Sequence, residues 1–134
     1  MKDETQLTEN SLTQSPHGRF LEHAARGELA FQRDSTGRAF FPPRLIAPKE
    51  GTDPTWDVSV GTGAIHSLTL VRHKGEAPLA LAMIDLDEGF RIMSHVETAD
   101  PENLRIGDRV KVAFRPLADG QPPMPVFTLA EERA

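Results

Sequence analysis

The chain has 134 residues, a formal net charge of -5 and no cysteine. This length supports one domain, or one small domain with an appendage, and supplies enough apolar residues for a core. The acidic balance argues against a nucleic-acid partner, which would need clustered Lys and Arg, and the lack of cysteine excludes disulfides and thiol catalysis.

The N-terminal part of the chain predicts a tail followed by one short helix. Residues 1–14 are polar without apolar periodicity, so we expect a disordered tail and not a signal peptide. Ser15 and Pro16 are a typical helix start and Gly27 a typical helix end, which predicts a helix over about 16–26. Because a helix of this length is marginal alone, its Phe20 and Leu21 face has to dock on something.

The next segment, residues 29–51, has the pattern of two knuckle-like turns joined by a short apolar strand and a Phe-Pro-Pro corner. The turns are Arg33-Asp34-Ser35-Thr36-Gly37 and Ala47-Pro48-Lys49-Glu50-Gly51. Structural zinc sites of this shape use four thiolates or imidazoles, so we expect no metal here. A chelate from Asp34, Glu50 and a histidine is improbable, because hard oxygen ligands suit zinc poorly. We expect the apolar side chains to hold the hairpin instead.

The second half of the chain is rich in short strands separated by glycine turns. Strands are predicted at 56–60, 64–71, 79–86, 90–96, 106–114 and 126–129. Five or six short strands without a second helix predict a small barrel. We therefore divide the chain into a tail (1–14), a helix and ribbon (15–55) and a barrel domain (56–134). Asp85, Asp87 and Glu88 flank a hairpin and are expected to form a solvated turn.

These motifs, in this order, resemble the DUF35 family, whose members carry a rubredoxin-like zinc ribbon in front of an OB-fold. The family ribbon has Cys-x-x-Cys-Gly, then Phe-Pro-Pro-Arg, then a second Cys-x-x-Cys-Gly. Similar barrel motifs follow at Gly61-Thr-Gly63, Leu86-Asp-Glu-Gly89 and Ile106-Gly-Asp-Arg-Val110. The resemblance implies a mainly β fold with an N-terminal helix, a degenerate zinc-ribbon-like hairpin that has lost its cysteines, and a five-stranded OB-fold barrel.

The resemblance also implies a function. Members of this family form complexes with thiolase-like or ketosynthase-like enzymes, and some pair with MaoC-type enoyl-CoA hydratases. The expectation is a cytoplasmic, non-catalytic accessory subunit of a hetero-oligomer that helps to form an acyl-CoA channel. The alternative is a stand-alone OB-fold module that binds acyl-CoA. The sequence has no nucleophile elbow, P-loop or dinucleotide fingerprint, and no histidine has a carboxylate at triad or metal spacing.

Two sets of candidate site residues follow, each with a plainer alternative. The basic residues Arg38, Arg44, Arg72 and Lys74 are candidate contacts for CoA phosphates, or else ordinary surface charge. The apolar residues Phe20, Leu21, Phe40, Phe41, Pro42 and Pro43 are candidate partner contacts, or else the core of the hairpin.

Overall fold

The computed structural model describes residues 15–49 and 51–130, so the predicted tail lies outside the described part of the chain. Within these described residues, one helix, α1 (Pro16–Ala25), precedes eight strands. The strands are β1 (Ala30–Arg33), β2 (Ala39–Phe40), β3 (Thr55–Val58), β4 (Thr62–Val71), β5 (Leu79–Leu86), β6 (Arg91–Glu97), β7 (Arg109–Pro116) and β8 (Pro123–Leu129). A short 3₁₀ turn at Pro101–Asn103 separates β6 from β7.

The helix forms where its boundary signals predict it. The Ser15 hydroxyl accepts a hydrogen bond from the Gly18 amide at 2.9 Å, and Pro16 occupies the first helical position. Phe20 and Ala24, one turn apart, are the buried residues of the helix. They fix α1 against the rest of the chain.

The ribbon is a three-stranded antiparallel sheet in the order β2-β1-β3. The Gln32 side chain fixes the loop that follows β2, because its amide donates to the Arg44 carbonyl at 2.8 Å and accepts from the Arg44 amide at 2.6 Å. We predicted that the strand beginning at Trp56 belongs to the barrel domain. The structure instead pairs Trp56 with Gln32 in the ribbon sheet, and the barrel strands begin at Thr62.

The predicted barrel is confirmed as a closed five-stranded barrel in the order β4-β5-β6-β8-β7. Its first strand starts at a close backbone approach, since a Cβ on Gly63 would lie 3.0 Å from the Asp85 carbonyl carbon. Strands β6 and β8 run parallel and pair over two positions, Val96 with Phe127 and Glu97 with Thr128.

Ribbon and barrel share one apolar core. Phe31 of β1 is fully buried and stacks on Phe90, which precedes β6, with ring centroids 4.5 Å apart. Glu88 adds a polar link, because its carboxylate accepts from the Ser59 hydroxyl at 2.7 Å and from the Val60 amide at 2.8 Å. The ribbon is therefore joined to the barrel by both stacking and hydrogen bonds.

No helix in the described ranges is long and apolar enough to span a bilayer.

Candidate functional site

An apolar groove of about 440 Å³ lies where the helix, the ribbon and the barrel meet. We call this feature the apolar groove, and all three parts of the fold contribute to it. Its lining residues are His17, Phe20, Phe41, Pro42, Pro43, Leu81, Ile92, Met93, Ser94, His95, Leu117, Met124, Pro125 and Val126. Grooves of this size lined mainly by apolar side chains are the usual form of a binding site.

One wall of the groove is the Phe-Pro-Pro corner that follows β2. Phe41 is half-buried, and its ring lies 5.6 Å from Phe20 of the helix and 5.7 Å from Phe90 of the barrel. These aromatic contacts hold the corner in place, while Pro42 stays exposed and Pro43 half-exposed. The corner is therefore anchored on its inner side and open on its outer side.

The opposite wall comes from the place where the barrel is least tightly paired. Residues 92–95 of β6 and 124–126 of β8 lie before the two paired positions of these strands. A buried hydrogen bond from the Ser94 hydroxyl to the Pro125 carbonyl, 2.7 Å long, joins them here. Pro123 and Pro125 have no N–H to donate to a neighbouring strand. These unpaired parts of the two strands thus form the opposite wall of the apolar groove.

Apolar side chains remain exposed along this wall. Met93 is 67% exposed and Leu117 is 54% exposed, while Met124 is half-buried and packs against the core. Exposed apolar patches of this kind mark protein or ligand contacts, and methionine adapts its shape to irregular partners. The sequence reasoning did not single out these three residues, because each comes from a different segment of the chain.

The residues predicted as partner contacts lie in different places in the structure. Phe41, Pro42 and Pro43 line the apolar groove, as a contact surface requires. Phe20 also lines it, but the side chain is 4% exposed and packs in the core, so its contact with a partner stays a prediction. Leu21 is half-buried against the core, and Phe40 lies instead in the cleft between the two knuckle turns.

The four predicted CoA-phosphate contacts do not share one cavity. Arg38 lines an open cleft of about 490 Å³ between the two knuckle turns. Arg44 lines a separate cavity of about 180 Å³ beside Trp56. The Arg72 guanidinium lies 2.6 Å from the Glu102 carboxylate, and Lys74 is exposed in the loop between β4 and β5. Their contact with CoA stays a prediction.

Several polar side chains form pairs that spacing along the sequence did not reveal. The Nδ1 atom of His23 lies 2.9 Å from a Glu28 oxygen, and that of His66 lies 3.3 Å from an Asp85 oxygen. The sequence showed no histidine with a carboxylate at triad or metal spacing, and these two pairs form only through the fold. The His66 pair lies on the exposed barrel surface beside Arg91, whose guanidinium holds the pKa of Asp85 below its ordinary value.

The expected hairpin turn at Asp85, Asp87 and Glu88 lies between β5 and β6, and the Asp87 side chain is 44% exposed. Each of the three carboxylates also has a protein partner. The Arg109 guanidinium donates to both oxygens of Asp87, at 2.9 and 2.7 Å. This contact is the main cause that lowers the pKa of Asp87 to about 2. The ion pairs of Asp85 and Asp87 connect neighbouring parts of the barrel, and these residues do not line the apolar groove. Across residues 15–49 and 51–130, no group of His, Cys, Asp or Glu side chains has the arrangement of a metal site.

Comparison with known proteins supports the resemblance seen in the sequence. A family model described as the C-terminal OB-fold domain of ChsH2 matches residues 56–115. A DUF35 domain-containing scaffold protein of Methanothermobacter thermautotrophicus is 34% identical over 91 residues, which cover 62% of this chain and 68% of that protein. A protein of the same description from Methanocaldococcus jannaschii is 30% identical, over 62% of this chain and 64% of that relative.

Two further similarities involve multi-subunit enzymes. The alpha subunit of the 3-oxo-4,17-pregnadiene-20-carboxyl-CoA hydratase of Mycobacterium tuberculosis is 27% identical over 75% of this chain, which spans 34% of that subunit. A solved structure described as the Ltp2-ChsH2(DUF35) aldolase superposes with a TM-score of 0.77 at 26% identity. That match covers 86% of this chain and 94% of the other.

Proposed function

This chain belongs to the DUF35 family of OB-fold proteins, and on that premise we propose that it is a non-catalytic accessory subunit of an acyl-CoA-processing enzyme. Its partner in this proposal is a thiolase-like or ketosynthase-like catalytic subunit. The apolar groove is the surface that docks on that partner, and the assembled pair forms the channel for the CoA ester.

The names of the relatives support the role of partner subunit. Two relatives are described as scaffold proteins, and the solved structure is named for an aldolase together with a DUF35 component. A scaffold acts by binding another protein, so its chemistry lies in its contact surfaces. The described residues agree with this, since the polar pairs of the barrel lie outside the apolar groove.

The apolar groove is the observation that carries the proposal. It joins a rigid corner, held by Phe20 and Phe90, to exposed apolar side chains on the barrel, Met93 and Leu117. Interface cores are enriched in aromatic residues and Met, and depleted in charge. Since the anchoring contacts already exist in the single chain, docking there costs little further ordering.

A second candidate partner is a MaoC-type enoyl-CoA hydratase. The similarity to the hydratase alpha subunit favours it, because that protein is named for CoA-ester hydration. The stand-alone alternative, an OB-fold module that binds acyl-CoA by itself, would use the same apolar groove for the acyl chain.

Co-expression with each class of catalytic subunit from the same organism tests the proposal. We expect this chain to copurify with a thiolase-like or ketosynthase-like subunit and to raise its acyl-CoA turnover, while the chain alone turns over no acyl-CoA. Copurification with a MaoC-type subunit and not with a thiolase-like one would select the second candidate. A monomeric chain that binds acyl-CoA tightly and forms no complex would contradict the accessory role.

A further inference from the structure

We propose that the first knuckle turn of this chain is closed by the side chains of Arg33 and Asp34 in place of a metal, so that the ribbon keeps its shape without zinc. This inference concerns the ribbon itself and does not depend on which enzyme the chain serves.

The residues at the ligand positions of the ribbon do not fit zinc. In the family motif Cys-x-x-Cys-Gly, counting back from Gly37 places the cysteine positions at Thr36 and Arg33. Counting back from Gly51 places the second pair at Glu50 and Ala47. Arginine and alanine offer no ligand atom, and structural zinc is held by thiolates and imidazoles in sets of four. Contacts other than metal bonds therefore have to hold the two turns.

Asp34 closes the first turn from inside. Its Oδ1 atom accepts hydrogen bonds from the Thr36 amide at 2.9 Å, the Thr36 hydroxyl at 2.6 Å and the Arg38 amide at 3.0 Å. Backbone bonds complete the turn, from the Gly37 amide to the Asp34 carbonyl and from the Asp34 amide to the Arg38 carbonyl. A single carboxylate therefore satisfies several donors that a tight turn leaves without strand partners.

Arg33 ties the closed turn to the sheet. Its guanidinium donates to the Gly37 carbonyl at 3.0 Å and to the Asp57 carboxylate on β3 at 3.0 Å. The same group lies over the Phe31 ring, 4.8 Å from its centroid. One planar side chain thus connects the turn, the neighbouring strand and the core. These contacts hold the first turn against the sheet without a metal ligand.

The second turn closes through its own backbone. The Ala47 amide donates to the Thr52 carbonyl at 2.8 Å, and the Gly51 amide donates to the Ala47 carbonyl at 3.2 Å. The Ala47 methyl is buried, with 2% of the residue exposed. A small apolar side chain at a ligand position fills space against the ribbon, and no charged ligand there needs compensation.

Metal content and thermal unfolding of the purified full-length chain test the inference directly. We expect far less than one zinc per chain after expression in zinc-supplemented medium, and a melting temperature unchanged by an excess of EDTA. About one zinc per chain, or a melting temperature that falls on chelation, would overturn the proposal, since structural zinc contributes directly to folding free energy.

A variant pair tests the role of Asp34. Asp34→Ala removes the acceptor of three hydrogen bonds, and Asp53→Ala is the matched control because Asp53 is an exposed carboxylate of the same ribbon. We expect hydrogen exchange at the Thr36 and Arg38 amides to accelerate about tenfold or more in Asp34→Ala and to stay unchanged in Asp53→Ala. Exchange in Asp34→Ala that matches the control would contradict the inference.

A conservative change covers the case in which the alanine variant does not fold. Asp34→Asn keeps one oxygen acceptor and the shape of the side chain, so we expect it to fold and to show a smaller acceleration at the same two amides. Exchange in this variant as fast as at amides that have no hydrogen-bond partner would contradict the role assigned to the Oδ1 acceptor, because that acceptor is still present.

Discussion

Phe31→Ala probes how the ribbon is attached to the barrel. Phe31 is fully buried and stacks on Phe90 at 4.5 Å, in the middle of the core that both parts share. Truncation of a buried phenylalanine costs about 3–5 kcal/mol, because transfer free energy is lost and a cavity remains. A domain of this kind has about 5–15 kcal/mol of stability in total. The substitution should therefore remove a large fraction of the free energy of unfolding.

The assay is urea denaturation followed by fluorescence of Trp56 in β3 and by far-ultraviolet circular dichroism. The control is Phe40→Ala, the same truncation at a half-buried ring outside the shared core, which should cost about 1 kcal/mol. We expect both probes to report a single transition, because ribbon and barrel share a core. A cost for Phe31→Ala no larger than that of the control, or two separate transitions in the unmodified chain, would refute this reasoning.

Two more outcomes follow from the barrel. Gly63→Ala should destabilise the fold by about 1–3 kcal/mol, because the new Cβ meets the backbone at Asp85. Gly75→Ala is the control in the same melts. Its Cβ would have no atom within 4 Å but its φ is positive, so it measures backbone strain without the clash. Asp87→Asn should lower stability near neutral pH. The folded pKa of Asp87, about 2, lies below its ordinary value of 3.8, so its contribution is fully present above about pH 4 and is lost as the pH falls through 2. The stability difference between Asp87→Asn and the unmodified chain should therefore close below pH 2 in melts across this range, and a difference independent of pH would rule out the Arg109 pair as its source.

The main elements of the fold were predictable because their signals are local. Ser15 and Pro16 fix the helix start, and the alternation along β5 and β6 matches one buried and one outward face. Boundaries failed where a turn competes with a strand. We predicted a strand from Ile106, but the Arg105 amide donates to the Asp108 carboxylate, and β7 begins at Arg109. The first residue of β8 is Pro123, three residues earlier than predicted, because prolines at its start concealed the strand pattern.

The candidate site was only partly predictable, because its parts meet in space and not along the sequence. The Phe-Pro-Pro corner carries a local signal, and Phe41 does line the apolar groove. Its other wall depends on the short parallel pairing of β6 and β8, which brings Met93 beside Met124 from the end of the chain. No spacing rule relates these positions. The burial of Phe20 was equally hidden, since a helix can dock on its own barrel or on a partner with the same sequence.

The affinity of the chain for its catalytic subunit tests the central claim most directly. Met93→Glu places a charge on the wall of the apolar groove, and Ile106→Glu is the matched control, since Ile106 is 70% exposed and does not line it. We expect Met93→Glu to weaken binding by about thirtyfold or more, which corresponds to about 2 kcal/mol at an interface core, and Ile106→Glu to bind as the unmodified chain does. Equal affinities of Met93→Glu and the unmodified chain, measured by calorimetry on the purified partner, would contradict the docking surface proposed here.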